Sequence, residues 1–179
     1  MLTYSTNMPE APTIALPSQL WKSLTPDRKL RAAEAFWKDE GAGAEQAEAI
    51  LVIAQRIKFR ARSVASLPIE KKTRHLASLL SVSEMMAARL LVAYHLEYQR
   101  PMMGSFLDAL GVTHDNGMIA DDSVQPPGEA KLKAAATAIA ATYPAQDVAL
   151  YLSTLLWQDM ETWGPLTDAP ERLLTAERA

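Results

Sequence analysis

Two segments of the chain, 84–99 and 145–162, are apolar around most of the circumference that a helix presents. In the first, the polar side chains Arg89 and Glu97 cluster on one side with the following Arg100. The polar residues of the second share one narrow stripe: Asp147, Thr154, Gln158 and Glu161. A helix that is apolar almost all round is buried. The sequence therefore predicts that these two helices lie inside the protein and that other helices enclose them.

The rest of the chain carries helical signals rather than strand signals. Ala, Leu, Glu, Lys, Arg and Met dominate, and β-branched runs with the two-residue alternation of a strand are absent. Thr25-Pro26-Asp27 is typical of a helix start, Ser83 is a candidate N-cap, and Gly111 is a candidate helix end. Uninterrupted helices are predicted over roughly 44–63 and 144–162. We expect an all-α fold of about seven or eight helices.

The length of 179 residues fits one globular domain. Residues 1–17 contain three prolines and no periodicity, which predicts an extended arm. Residues 18–179 are predicted to form the all-helical domain. Within it, residues 112–128 are predicted to be a loop with a turn at Asn116-Gly117.

Composition excludes several classes of protein. The chain has no cysteine, so it has no disulfide, no thiolate nucleophile and no cysteine-ligated zinc. Its seven glycines form no phosphate-binding loop or dinucleotide fingerprint, which favours a non-enzymatic role without a cofactor. The N-terminus lacks the pattern of a signal peptide, and no stretch of about 18 apolar residues indicates a membrane span. We expect a cytoplasmic protein that does not insert into membranes.

The run from Tyr94 to Gly117 is the least ordinary part of the sequence. His95 lies on the apolar side of its predicted helix, away from the polar wedge, and Asp159 lies on the apolar side of the other inner helix. A contact between them would orient the imidazole as catalytic and metal-bound histidines are oriented. Nearby methionines are flexible enough to line an adaptable groove. One hypothesis is a ligand site; the other is a core histidine with satisfied hydrogen bonds. The candidate ligand-binding residues are His95, Tyr98, Met102, Met103 and Asp159.

The predicted loop contains His114 and Asp115, with Asp121 and Asp122 further along. Imidazole and carboxylate groups can bind a divalent metal. Their spacing matches neither a zincin nor an EF-hand. We therefore predict no metal site, and His114 remains only an alternative centre for a metal or small ligand.

Residues 73–92, TRHLASLLSVSEMMAARLLV, resemble the DNA-binding helix-turn-helix, with a tight turn at residues 81–83. Ser81 stands where that motif usually has glycine. The resemblance implies phosphate contacts from the basic residues in and before the motif: Arg56, Lys58, Arg60, Arg62, Lys71, Lys72, Arg74 and Arg89. The second helix lacks the side chains that read base edges, so we predict no sequence-specific DNA binding. An ordinary helical corner explains the same pattern.

The net charge of −3 is unevenly distributed, because Lys and Arg are concentrated before residue 76 and acidic residues after it. Such a chain can pair head to tail with a copy of itself or bind a polyanion through its basic part, and the same asymmetry is also typical of an ordinary solvated surface. The two nearly all-apolar helices, the methionine cluster and the proline-containing arm favour the first functional hypothesis, a non-enzymatic protein that binds a protein partner or forms a homo-oligomer. The alternatives are a helix-turn-helix DNA-binding protein, and a protein that binds a metal or small ligand near His95 or His114.

Overall fold

The computed structural model describes residues 13–121 and 125–179 and confirms the all-α fold. Its longer helices are α2 (Pro26–Lys38), α3 (Gly43–Ile57), α5 (Ile69–Ala77), α6 (Glu84–Tyr98), α7 (Arg100–Leu110), α8 (Glu129–Thr142), α9 (Ala145–Gln158) and α11 (Ala169–Arg178). Its short helices are α1 (Pro17–Ser23), α4 (Ala61–Ala65) and α10 (Met160–Trp163). Within the described ranges, no helix is both long and apolar enough to cross a membrane.

Local sequence signals set several helix ends. The Thr25 hydroxyl accepts a hydrogen bond from the backbone N–H of Arg28 at 3.3 Å, which caps α2. The Ser83 hydroxyl caps α6 in the same way through the N–H of Met86 at 3.2 Å. Gly111 adopts a φ of 69° and ends α7, because glycine takes this left-handed conformation without steric cost.

Two predicted helices are each divided in the structure. The helix predicted over 44–63 breaks at Lys58, whose φ of 55° and ψ of 37° are left-handed, so α3 and α4 are separate. The helix predicted over 144–162 breaks at Asp159, whose φ of −153° is extended. Of the predicted N-terminal arm, residues 1–12 lie outside the described residues, and Pro17 already belongs to α1.

The predicted loop 112–128 contains a small hairpin. Strands β1 (His114–Asp115) and β2 (Met118–Ile119) pair antiparallel, with His114 opposite Ile119 and Asp115 opposite Met118. Asn116 and Gly117 both have positive φ, at 47° and 87°, as the type I′ turn of a two-residue hairpin requires. The backbone of Gly117 lies so close to α7 that an added Cβ would be 2.9 Å from Cβ of Met103. The hairpin is therefore seated directly on α7.

The core consists of two apolar clusters. The first joins α1, α2, α3, α5 and α6 and includes Trp21, Phe36, Ile53, Leu76 and Leu90. The second joins α7, α8 and α9 and includes Met102, Phe106, Leu132, Val148 and Leu152. The clusters meet where α6 and α9 lie against each other, since Leu150 of α9 belongs to the first and Leu96 of α6 packs against the second. The two helices predicted to lie inside are therefore the inner pair.

Candidate functional site: the His95 cavity

A cavity of about 240 Å³ opens between α6, α7, α9 and the hairpin. Its walls come from all four elements and from Trp163 at the end of α10. Its lining includes Leu96, Met103, Met118, Tyr151, Thr154 and Leu155, together with His95. Among the described residues that line it, none carries a charged side chain at neutral pH. The cavity is thus an apolar recess with a few polar groups, as small-molecule sites generally are.

The hydrogen bonds around His95 favour one tautomer. The Thr154 hydroxyl has one proton, and its geometry suits donation to the backbone oxygen of Leu150 at 2.8 Å. The Thr154 oxygen, 3.1 Å from Nε2 of His95, is then left to accept the imidazole proton. His95 then carries its proton on Nε2 and a lone pair on Nδ1. That Nδ1 is buried and has no hydrogen-bond partner among the described residues.

Burial keeps the His95 ring uncharged. The side chain is only 3% exposed. Desolvation lowers the pKa of His95 from 6.5 to about 4, and the charge of Asp147 opposes this shift only in part. At neutral pH the ring is therefore neutral, and with its proton on Nε2 towards Thr154 it presents Nδ1 as an acceptor.

Aromatic rings hold the imidazole in place. Tyr94 and Tyr151 each contact the His95 ring edge-to-face, with ring centres 5.7 Å away. Phe106 contacts Tyr151 edge-to-face at 5.6 Å and lies 5.9 Å from the Trp163 ring. Burial raises the pKa of Tyr151, so its phenol stays protonated. This packing makes the wall around His95 rigid.

A buried polar network lies behind Tyr94. Oδ1 of Asp147 accepts hydrogen bonds from Nε of Arg28 at 2.9 Å and from the Tyr94 hydroxyl at 3.1 Å. Nε2 of Gln99 donates to the same hydroxyl at 3.2 Å. The hydrogen bond to Asp147 is the main cause that raises the pKa of Arg28. The network ties α2, α6 and α9 together beside the cavity, and nothing in the periodicity of the sequence indicated it.

The structure does not bring all of the predicted ligand-binding residues together at one site. Met103 lines the cavity with His95, but Met102 is fully buried in the core. Tyr98 is on the surface, where the Arg31 guanidinium lies 5.8 Å from its ring centre. Asp159 is exposed and caps α10, accepting from the N–H of Thr162 at 3.1 Å and from its hydroxyl at 2.6 Å. The hydrogen-bond partner of His95 is thus Thr154 and not Asp159.

The second histidine, His114, is held within the hairpin. Its Nε2 lies 2.8 Å from Oδ1 of Asp108, and its Nδ1 accepts the N–H of Gly117 at 3.0 Å. Both ring nitrogens therefore have protein partners. Across residues 13–121 and 125–179, no three His, Asp or Glu side chains converge as metal ligands; Asp122 lies outside these ranges.

The segment that resembles a helix-turn-helix forms a packed corner. Its second helix, α6, is the inner helix of the first core cluster. One side of the start of α6 contacts α1, because Glu84 accepts hydrogen bonds from the N–H and the hydroxyl of Ser18. Arg89 forms an ion pair with Asp39 at 3.2 Å. This geometry favours the ordinary helical corner.

Three of the other residues predicted to bind phosphate have side chains that contact other groups of the same chain. Arg56 donates to the backbone oxygen of Ser78 at 2.6 Å, the Lys72 ammonium lies 4.9 Å from the Trp37 ring centre, and Arg74 forms an ion pair with Glu70. The remaining four are exposed: Lys58, Arg60, Arg62 and Lys71.

No family model, curated protein or solved structure matches the chain.

Proposed function

We propose that the protein binds a small, uncharged, largely apolar molecule in the cavity beside His95. The observation that carries this proposal is the buried Nδ1 of His95, which has no partner among the described residues. A buried acceptor without a partner costs about 1–3 kcal/mol. His95 lines the cavity, so a small shift of its ring would let a bound ligand donate a hydrogen bond to Nδ1 and recover part of that free energy.

The walls define the chemistry of the ligand. Apolar side chains such as Leu96, Met103 and Leu155 favour a hydrocarbon or aromatic body. An ionised ligand would lose its hydration without meeting an opposite charge, which is costly. The volume of about 240 Å³ lies below the roughly 300–1,000 Å³ typical of sites for drug-sized ligands. The fitting class is a small aromatic alcohol or a similar neutral hydrogen-bond donor.

The test compares p-cresol with toluene, which has the same ring and methyl group but no hydroxyl. We expect p-cresol to bind roughly tenfold more tightly, because only p-cresol donates to Nδ1. The readout is NMR of protein labelled at the methionine methyl groups. Signals of Met103 and Met118, which line the cavity, should shift, while that of Met85, exposed at the start of α6, should not.

Two variants distinguish the contribution of the apolar cavity from that of the hydrogen-bond acceptor Nδ1. Leu96→Trp fills the cavity and should abolish binding of both compounds. His95→Phe keeps an aromatic ring but removes the acceptor, so toluene and p-cresol should then bind about equally. Equal affinities in the unaltered protein, or binding that survives Leu96→Trp, would refute the proposal.

A second candidate function is self-association, which the exposed apolar side chains at the start of α6 favour. Leu80 is 87% exposed and Met85 is 70% exposed, on the loop before α6 and in its first turn. Burying large apolar side chains between two copies is the usual driving force for a homodimer. Light scattering on the unaltered protein and on Leu80→Ser/Met85→Gln tests this. We expect a dimer that the double variant converts to a monomer; a monomer at every concentration would contradict it.

A further inference from the structure

The turn between α3 and α4 displays an aromatic ring among positive charges. Residues 58–62 read Lys-Phe-Arg-Ala-Arg. Phe59 is 56% exposed, and Lys58, Arg60 and Arg62 are also exposed. In the part of the chain that the structure describes, none of these three cations forms an ion pair with a carboxylate. Residues 55–75 contain one acidic residue, Glu70, so the local charge is strongly positive although the whole chain is acidic.

The backbone holds this turn in a defined shape. Lys58 has a left-handed conformation, in which glycine is the usual residue. The N–H of Phe59 donates to the backbone oxygen of Ala54 at 3.0 Å, and Val64 of α4 is fully buried in the first core cluster. A large apolar residue at this position of a helix end commonly packs back onto the helix, but Phe59 is directed to solvent. Because the backbone of the turn is already held in place, less conformational entropy is lost when a partner covers the Phe59 side chain.

Positive charge beside one exposed ring matches single-stranded nucleic acid. A base stacks on an aromatic face, and its flanking phosphates are met by cations on either side of that ring. Guanidinium groups suit phosphate oxygens because they donate two parallel hydrogen bonds. An anionic membrane is the other polyanion to consider, but membrane binding scales with the apolar area inserted, and this turn offers a single ring.

We propose that the Lys58–Arg62 turn binds single-stranded nucleic acid without sequence preference, with Phe59 stacking on a base and Lys58, Arg60 and Arg62 contacting phosphates. No residue of the turn lines the His95 cavity, so this proposal is independent of the proposed function. The proposed binding involves neither the corner that resembles a helix-turn-helix nor hydrogen bonds to the edges of the bases. A duplex should bind more weakly, because its bases are already stacked on one another.

The test measures fluorescence anisotropy of a labelled oligothymidylate over a series of salt concentrations. We expect binding at low salt that weakens steeply as salt rises. Phe59→Ala should reduce the affinity about tenfold and leave the salt dependence unchanged. Phe59→Trp keeps a ring that stacks on a base, so it should retain the affinity. Arg60→Gln/Arg62→Gln should lower the slope of log K against log salt by roughly 1.4, about 0.7 for each lost phosphate contact.

The controls distinguish this surface from general charge attraction and from a membrane site. Lys131→Gln removes an exposed lysine from α8 and should change neither the affinity nor the slope. The matched single variant Arg60→Gln should weaken binding, so an equal loss of affinity in Lys131→Gln and Arg60→Gln, or no effect of Phe59→Ala, would overturn the proposal. Phosphatidylglycerol vesicles form the second arm. Vesicle binding that depends on Phe59, without oligonucleotide binding, would also overturn it and would assign the turn to an anionic lipid surface.

Discussion

Replacing Asp147 with alanine is expected to lower the free energy of unfolding by about 3 kcal/mol, because it removes one partner of a buried ion pair. Asp147 is only 7% exposed and is the common acceptor for Arg28 and Tyr94. Without it, the partly buried Arg28 guanidinium loses its counter-charge and the Tyr94 hydroxyl loses its acceptor. Urea unfolding followed by circular dichroism measures the change.

Two further variants serve as comparisons for the free energy of unfolding of Asp147→Ala. Asp147→Asn keeps an oxygen that accepts from Arg28 and Tyr94 but loses the charge, so its cost should be intermediate. Glu34→Ala breaks a half-exposed ion pair with Lys38 and should cost little, since exposed pairs contribute little. If Asp147→Ala is no more harmful than Glu34→Ala, the network does not hold α2, α6 and α9 together.

Helix starts were predictable because their causes are local. Thr25 and Ser83 cap the helices that they precede, and each cap needs only a side chain and a backbone N–H three residues away. Helix ends were less predictable. Lys58 ends α3 in a conformation that usually belongs to glycine, so its side chain gives no warning of the break.

The surroundings of His95 show where sequence periodicity stops being informative. Periodicity places His95 on a buried face, which the structure confirms. The choice of partner depends on how α6 and α9 meet, and Thr154 is 59 residues away in sequence. The suggested pairing with Asp159 assumed that its helix continues past that residue. Because α9 ends at Gln158, Asp159 turns to the surface and caps α10 instead.

The sequence pattern places Asp147 in a narrow polar stripe and does not indicate its partner. A helical wheel separates polar from apolar faces, but it cannot show that a cation from α2 covers the polar side chain. Arg28 lies 119 residues before Asp147 and converts that part of the stripe into a buried ion pair. Contacts over such sequence distances are set by the packing of whole helices, which no local pattern records.

The stability of the protein is expected to fall as the pH drops from about 6.5 towards 4, and His95 should be a main cause. Its pKa in the folded protein is about 4, below the ordinary value of 6.5 that it regains on unfolding. Between these values the unfolded chain binds a proton that the folded protein excludes, so acid favours unfolding. The contribution is fully present above pH 6.5 and is lost as the pH approaches 4. At about 1.36 kcal/mol per pKa unit, the loss is about 3 kcal/mol.

Comparison of the unaltered protein with His95→Gln isolates this contribution. Glutamine retains a donor for Thr154 and an acceptor, but it does not titrate in this range. The chain has three histidines, and the other two, His75 and His114, are the same in both proteins. Their effects therefore cancel when the two free energies of unfolding are subtracted at each pH. We expect that difference to favour the unaltered protein most at neutral pH and to shrink below pH 6.5. A difference that stays constant down to pH 4 would mean that the His95 ring reaches solvent and that Nδ1 is already hydrated, which would also remove the basis for a ligand that donates to it.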